Sequence, residues 1–154
     1  MPELSASHRL RTGRFSEQNQ IYLVTANTLG RKPIFEDHYL GLRVAQQFTD
    51  AQSQGTAKSL AWVVMPDHFH WLVQLQTGSL SELMCRVKSL STRSINAAAG
   101  RSGRLWQTGF HDRALRREED LVAIARYVVA NPLRAGLVRK LADYPLWDAV
   151  WAPR

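Results

Sequence analysis

The sequence of 154 residues contains one cysteine and no long hydrophobic run. A lone cysteine excludes an internal disulfide and fits a reducing compartment, so we interpret Cys85 as a small packing residue within a helix. The longest uninterrupted apolar run, Leu60 to Met65, is far too short to span a bilayer. The first ten residues also lack the apolar core of a signal peptide. These features predict a cytoplasmic protein that does not act on membranes.

Two sequence signatures of common enzyme classes are missing as well. The chain has neither a glycine-rich nucleotide-binding loop nor the elbow motif of a Ser/His/Asp hydrolase. Acidic residues are scarce, with 13 Asp and Glu against 20 Lys and Arg, for a net charge of +7. Such an excess favours a polyanionic partner, nucleic acid before membrane, although it is also compatible with a solvated basic surface. A hydrophobic fraction of 45% is typical of a globular protein, and we predict a single domain over residues 1–154.

The most informative stretch is the apolar hairpin signal between Ala61 and Val73. Two apolar, β-branched and aromatic runs flank Pro66 and Asp67, which predicts two strands joined by a tight turn. Because alternate strand residues share a face, His68 and His70 should project side by side. The alternate residues should point the other way into apolar packing: Phe69, Trp71, Val73 and Leu75. Two adjacent imidazoles can chelate a divalent cation. The alternative is a pair of half-buried histidines that only form hydrogen bonds.

The other segments predict a mixed order of strands and helices. The order β-α-β-β-α-β-α lacks regular βαβ alternation and therefore favours an α+β structure, with a split βαβ, ferredoxin-like arrangement of the first six elements. Ser79 with Glu82 is a capping-box pattern that should begin the second helix. The predicted elements are a strand at 21–26, a helix at 36–54, hairpin strands at 60–65 and 68–76, a helix from 79 to about 99, a short strand or irregular hairpin within 105–115, and a third helix at 118–131 that Pro132 ends.

The two ends of the chain carry basic and aromatic residues. Residues 1–20 are polar and contain three arginines, which indicates either a frayed end or a flexible basic arm that orders on nucleic acid. Residues 141–154 form a tail that we expect to pack on the domain. Trp147 and Trp151 have helical spacing, which favours a packing stripe over a base-stacking platform.

The third predicted helix places a phenol and an amide next to its buried stripe. Leu121, Ile124 and Val128 should face the core, while Tyr127 and Asn131, four residues apart, should share a neighbouring face. There they could point along the sheet toward a cleft. The alternative is a boundary tyrosine and an ordinary residue at the helix end.

Several of these motifs together resemble a known family. His68-Phe69-His70 after Met65-Pro66-Asp67 resembles the histidine-hydrophobe-histidine (HUH) motif of the single-tyrosine transposases. The resemblance covers roughly residues 13–140. The segments similar to the REP-associated tyrosine transposases, which act at repetitive palindromic (REP) sequences, are 13–16, 22–25, 105–107, 109–113 and 127–138.

This resemblance implies a ferredoxin-like HUH endonuclease fold and a metal-dependent endonuclease and strand transferase for single-stranded DNA. Tyr127 would be the nucleophile that forms a 5′-phosphotyrosine at REP-type hairpins, and His68, His70 and Asn131 would bind Mg²⁺ or Mn²⁺. The wider family often has glutamine at the last position, and Asn131 is shorter. The resemblance further implies a bacterial, nucleoid-associated protein that acts as a monomer or homodimer.

Some roles stay open from sequence alone. His111 and Asp112 could belong to a second shell or a base-recognition element, or they could stabilise a turn. Two other functions also fit the residues: a non-catalytic nucleic-acid-binding domain, and a metal-dependent hydrolase in which Tyr127 is structural. The candidates for contacts with DNA phosphates are basic residues: Arg14, Arg86, Lys88, Arg93, Arg104, Arg113, Arg116 and Arg134.

Overall fold

A computed structural model describes residues 18–116 and 119–152 of the chain. Within them, five strands form one antiparallel sheet in the order β4-β1-β3-β2-β5. The strands are β1 (Ile21–Asn27), β2 (Ala57–Met65), β3 (His68–Leu75), β4 (His111–Ala114) and β5 (Trp147–Ala149). The α-helices are α1 (His38–Ser53), α2 (Leu80–Ala99), α3 (Leu121–Val129) and the single turn α4 (Asn131–Arg134).

The order of these elements confirms the predicted α+β class. From β1 to β4 the chain runs β-α-β-β-α-β, and β1 lies between β4 and β3, which is the split βαβ, ferredoxin-like arrangement. β3 is the central strand, paired with β1 on one side and β2 on the other. None of the helices among the described residues is long and apolar enough to cross a membrane.

The side chains of the central strand pack on both faces of the sheet. Phe69 and Trp71 are fully buried and pack against Phe48 of α1, with ring centroids 5.0 and 4.4 Å apart. On the opposite face, Leu72 belongs to a second apolar cluster together with Val129 of α3. The strand therefore has one wholly apolar side, while its other side is apolar at Leu72 and carries His68 and His70 at the turn end.

The ends of α2 follow the predicted pattern. The Ser79 side chain accepts a hydrogen bond from the Glu82 backbone, and the Glu82 carboxylate accepts one from the Ser79 backbone, so the capping box is confirmed. The helix ends at Gly100, whose φ of 63° is in the left-handed region. Cys85 is exposed on this helix, so its interpretation as a packing residue is wrong.

The third helix is shorter than predicted and is followed by a separate turn. α3 begins at Leu121, where the Asp120 side chain accepts hydrogen bonds from the next turn, and it ends at Val129. Pro132 does not stop a helix, as the sequence suggested, but lies in the first turn of α4. Proline is tolerated there because its missing N–H would have no intrahelical partner. The helix thus breaks at Ala130, between Tyr127 and Asn131.

The chain termini depart from the sequence prediction or lie outside the described residues. Trp147 belongs to β5 and pairs with Val63 of β2, and Trp151 is 43% exposed, so the helical packing stripe is wrong. Without β5, the edge of β2 would expose unpaired backbone N–H and C=O groups. The tail forms an extended strand because it pairs with these groups. Arg14, the rest of the proposed basic arm up to residue 17, and the predicted helix start at 118 are not among the described residues.

Candidate active site

His68 and His70 lie side by side at the turn end of the central strand. Their ring centroids are 4.9 Å apart and the rings meet edge to face, at 79°. Both residues are half-buried, while Phe69 between them is fully buried on the other face. The predicted arrangement of the pair is therefore confirmed.

Each imidazole is anchored through its Nδ1 atom. The Nδ1 atom of His68 is 2.7 Å from Oδ1 of Asp67, and that of His70 is 2.7 Å from Oγ1 of Thr25. Arg31 donates from Nε to the second oxygen of Asp67 over 2.9 Å. Partners of this kind fix the orientation of metal-binding histidines in other proteins. Here they leave the Nε2 atom of each ring as the nitrogen available to a ligand.

The charges around the pair favour neutral imidazole at His70 and a carboxylate at Asp67. Burial lowers the pKa of His70 to about 4, and the neighbouring charges of His68, Arg134 and His111 act in the same direction. For Asp67, burial raises the pKa, but hydrogen bonds and charges from His68 and Arg31 outweigh it, and the net pKa is lowered. At neutral pH, His70 therefore presents an unprotonated ring, which is the form that binds metals.

His111 joins the same row of side chains from the edge of the sheet. Thr25 of β1 is paired with His70 on one side and with His111 of β4 on the other. Directly opposed residues in antiparallel strands share a face, so His111, Thr25 and His70 line one face. Asp112, opposite the buried Val24, points to the other face. Both residues lie in β4, and the pairing that places His111 is not visible in the sequence.

Tyr127 and Asn131 stand on either side of the helix break. The Tyr127 side chain on α3 is 66% exposed, and the Arg134 guanidinium carbon lies 3.7 Å from the centre of its ring. Asn131 begins α4, and its Nδ2 donates to the Val128 carbonyl over 2.7 Å. The amide nitrogen is thus occupied locally, and the amide oxygen remains as a possible ligand. The predicted stacking of both residues on one continuous helix is corrected by the break at Ala130.

The donor set that the resemblance implies for a metal consists of two histidines and an amide. Within residues 18–116 and 119–152, no three His, Cys, Asp or Glu side chains gather in one potential metal site. That search does not cover a set in which an asparagine oxygen would be the third ligand. All three ligands would be neutral in such a set, and imidazole suits Mn²⁺ better than Mg²⁺.

The basic candidates fall into two groups. Lys88 donates to the Gln107 and Gly109 carbonyls, Arg104 to Thr108 and Trp106, and Arg113 to Glu119, so these side chains support their own loops. Arg86 and Arg93 are exposed on α2. Arg93 lines a groove of about 720 Å³ between α2 and residues 103–108. Arg116 is also exposed, at the end of β4, and Arg134 lies against Tyr127.

One wall of the groove is joined to the sheet at the end of β1. The wall formed by residues 103–108 contacts the end of β1 through backbone pairing. Trp106 forms an isolated antiparallel β-bridge with Thr28, and the Gln107 amide donates to the Asn27 carbonyl. Asn27 is in turn paired with His68.

Two curated proteins share part of the sequence. A REP-associated tyrosine transposase of Escherichia coli K12 is 28% identical over 85 residues, 55% of this chain and 50% of that protein. A putative REP-associated tyrosine transposase of Haemophilus influenzae is 26% identical over 99 residues, 57% of this chain and 56% of that protein. The chain thus spans about half the length of the curated relatives it matches. Both carry the name that the motifs suggested, and the resemblance is confirmed.

Solved structures and a family model extend the likeness over most of the chain. A REP-associated tyrosine transposase bound to a REP hairpin has a TM-score of 0.70 at 22% identity, over 87% of this chain and 79% of its own. A putative transposase from Deinococcus radiodurans has a TM-score of 0.55 at 20% identity, over 75% of this chain and 93% of its own. These two structures support the fold. The model of the family described as IS200-like transposases matches residues 16–131, and the chain belongs to this family.

Proposed function

We propose that this chain is a metal-dependent tyrosine transposase that cuts and rejoins single-stranded DNA at REP-type hairpins. The observation that carries the proposal is the side-by-side histidine pair, oriented by Asp67 and Thr25, with the Arg134 guanidinium over the exposed ring of Tyr127. Family membership supports the reaction class, and the hairpin bound to the structural relative supports the substrate.

In the proposed reaction, the Tyr127 oxygen attacks the scissile phosphorus. A bond forms between this oxygen and phosphorus, and the bond from phosphorus to the 3′-oxygen breaks. The proton lost by the phenol balances the one gained by the 3′-oxygen. The product is a 5′-phosphotyrosine, which keeps the energy of the phosphodiester for rejoining. A 3′-hydroxyl attacking the phosphotyrosine reverses these steps and restores Tyr127.

The chain's own residues would hold the metal and the scissile phosphate. His68 and His70 would offer their Nε2 atoms and Asn131 its amide oxygen. A bound Mg²⁺ or Mn²⁺ would polarise the phosphoryl oxygens and offset developing charge. Because all three ligands are neutral, a DNA phosphate is the natural anionic ligand. We therefore expect metal to bind weakly to free protein and more tightly when DNA is present, which calorimetry with and without DNA can measure.

The basic groove beside α2 is the proposed path of the DNA backbone. Arg86 and Arg93 are exposed, and Gln107 in the wall of the groove is hydrogen-bonded to Asn27, the residue of β1 that pairs with His68. Replacing Arg93 by glutamine should weaken DNA binding and reduce the salt dependence by about one phosphate contact. Lys58→Gln is the control, because it removes an equal charge from an exposed residue of β2 that does not line this groove.

The test of the nucleophile is Tyr127→Phe. The variant loses one oxygen on an exposed side chain, so folding and DNA binding should persist while cleavage and the covalent adduct disappear. Tyr39→Phe is a matched control, because Tyr39 is 60% exposed and also carries an arginine, Arg43, over its ring. The assay is incubation with a single-stranded REP-type hairpin and Mn²⁺, read on a denaturing gel. Comparable cleavage by Tyr127→Phe would exclude Tyr127 as the nucleophile.

The same cleavage assay, together with gel-shift titrations of hairpin and duplex, separates the two alternatives. If wild-type protein binds hairpin and duplex equally and cleaves neither, the chain is a nucleic-acid-binding domain. If it cleaves with metal but forms no covalent adduct, it is a metal-dependent hydrolase and Tyr127 is structural.

A further inference from the structure

The side chain of Arg134 lies over the ring of Tyr127, and packing against the core does not fix this largely exposed ring. Its guanidinium carbon lies 3.7 Å from the ring centre, within the range of a cation–π interaction. The Tyr127 side chain is 66% exposed, whereas the neighbouring Val128 and Val129 are buried. A ring exposed to this degree would sample several rotamers if nothing covered its face.

The helix break brings this arginine back to the tyrosine. α3 ends at Val129, and after Ala130 the chain starts the single turn of α4, with Pro132 in its first turn. Arg134 is the last residue of that turn. The Ala130 carbonyl accepts hydrogen bonds from the amides of both Leu133 and Arg134, which fixes the turn against the end of α3. The backbone therefore holds Arg134 in place independently of its side chain.

The positive charge of Arg134 also acts on His70 and helps to lower the pKa of that imidazole. One guanidinium thus contacts the candidate nucleophile and acts through its charge on a candidate metal ligand, although Tyr127 and His70 belong to different elements.

We propose that Arg134 is a positioning residue for Tyr127: its guanidinium stacks on the phenol ring and restricts the orientation of the tyrosine side chain. This inference rests on the proposed function for its catalytic consequence, but the contact itself can be tested without DNA or metal. Displacement of a reacting group by about 1 Å can cost on the order of 100-fold in rate. Loss of the stacked guanidinium should therefore slow the formation of the covalent adduct more than it weakens DNA binding.

The first experiment observes the ring directly. Protein labelled with 3-fluorotyrosine should give one ¹⁹F resonance for each of its four tyrosines, and Tyr127→Phe identifies the resonance of Tyr127. In Arg134→Ala this resonance should shift and narrow, while that of the buried Tyr144 stays in place. Arg43→Ala, which removes the arginine over Tyr39, should move the Tyr39 resonance and leave Tyr127 unchanged. An unchanged Tyr127 resonance in Arg134→Ala would overturn the proposal.

The second experiment separates positioning from phosphate binding. With saturating hairpin DNA and Mn²⁺, Arg134→Ala should form the phosphotyrosine adduct about 10- to 100-fold more slowly, with a Kd within about threefold of wild type. Arg134→Lys should recover part of the rate, because an ammonium also binds an aromatic face. Arg126→Ala, which removes an exposed charge next to Tyr127 in sequence, should keep the wild-type rate.

Two results would contradict the inference in different ways. A raised Kd with a smaller salt slope and a normal rate at saturation would make Arg134 a phosphate contact instead of a positioning residue. If wild-type protein forms no adduct at all, the proposed function fails, and the fluorine resonances still decide whether Arg134 holds the ring.

Discussion

The burial of His70 predicts a loss of stability in mild acid. In the folded protein its pKa is lowered to about 4, mainly by burial, whereas the ordinary value is 6.5. Between these two values the unfolded chain binds a proton that the folded chain excludes. The His70 imidazole therefore does not lower the free energy of unfolding above pH 6.5, and it lowers it progressively as the pH falls toward 4.

The magnitude follows from the two pKa values. One pKa unit corresponds to about 1.4 kcal/mol, so the free energy of unfolding should fall by about 2 kcal/mol from this group between pH 7 and pH 5. A domain of this size is stabilised by roughly 5–15 kcal/mol, so the effect is measurable. Other groups titrate in the same range, and a comparison with a variant isolates the contribution of His70.

The assay is urea unfolding of wild type and His70→Asn at pH 7, 6 and 5, with a chelator to remove divalent ions. The free energy of unfolding of wild type should fall by about 2 kcal/mol more than that of His70→Asn over this range. His38→Asn, which removes an exposed histidine and leaves His70 intact, serves as the control and should keep the extra loss. Parallel pH profiles for wild type and His70→Asn would refute the reasoning.

The remaining predictions concern the metal, the core and the substrate. Asp67→Ala should lower Mn²⁺ affinity about 10- to 100-fold in calorimetry with DNA present, because the His68 ring loses its anchor. His68→Ala should abolish cleavage, as should EDTA with wild type; full activity in EDTA would exclude a metal. Gly41→Ala should cost about 1–3 kcal/mol in thermal or urea unfolding, since the added Cβ would lie 2.5 Å from Cδ1 of the buried Leu146. In gel shifts at two salt concentrations, a single-stranded hairpin should bind more tightly than the same sequence as duplex, and the duplex complex should be lost sooner with salt.

Local sequence signals were sufficient for the elements that depend on neighbours in the chain. The turn signal at Pro66 and Asp67 gave the hairpin, and the period of two placed His68 and His70 on one face. The capping box placed the start of α2 at the right residue. In each of these cases the decisive physics acts within a few residues.

Features that depend on distant parts of the chain were missed. β5 forms because β2 has an open edge, which the two tail tryptophans do not reveal. His111 joins the site only through the register of β4 on β1. The pattern around Pro132 fits both a helix end and a first helical turn, and packing decides between them. Lys88 donates to the carbonyls of Gln107 and Gly109, about twenty residues further along the chain, and the sequence does not reveal these contacts.

Because β3 is the central strand, we expect slower amide hydrogen exchange around His68 and His70 than around Tyr127 on α3. The strand carrying His68 and His70 is paired on both sides along its length, so we expect its amides to exchange only when the whole sheet opens. Tyr127 sits on a helix of nine residues with an exposed ring, which can open locally at lower free energy. In dilute denaturant Tyr127 should therefore detach while the histidine pair stays formed. Under the proposed function, a protein in that state would keep two of its metal ligands together but could not transfer a strand.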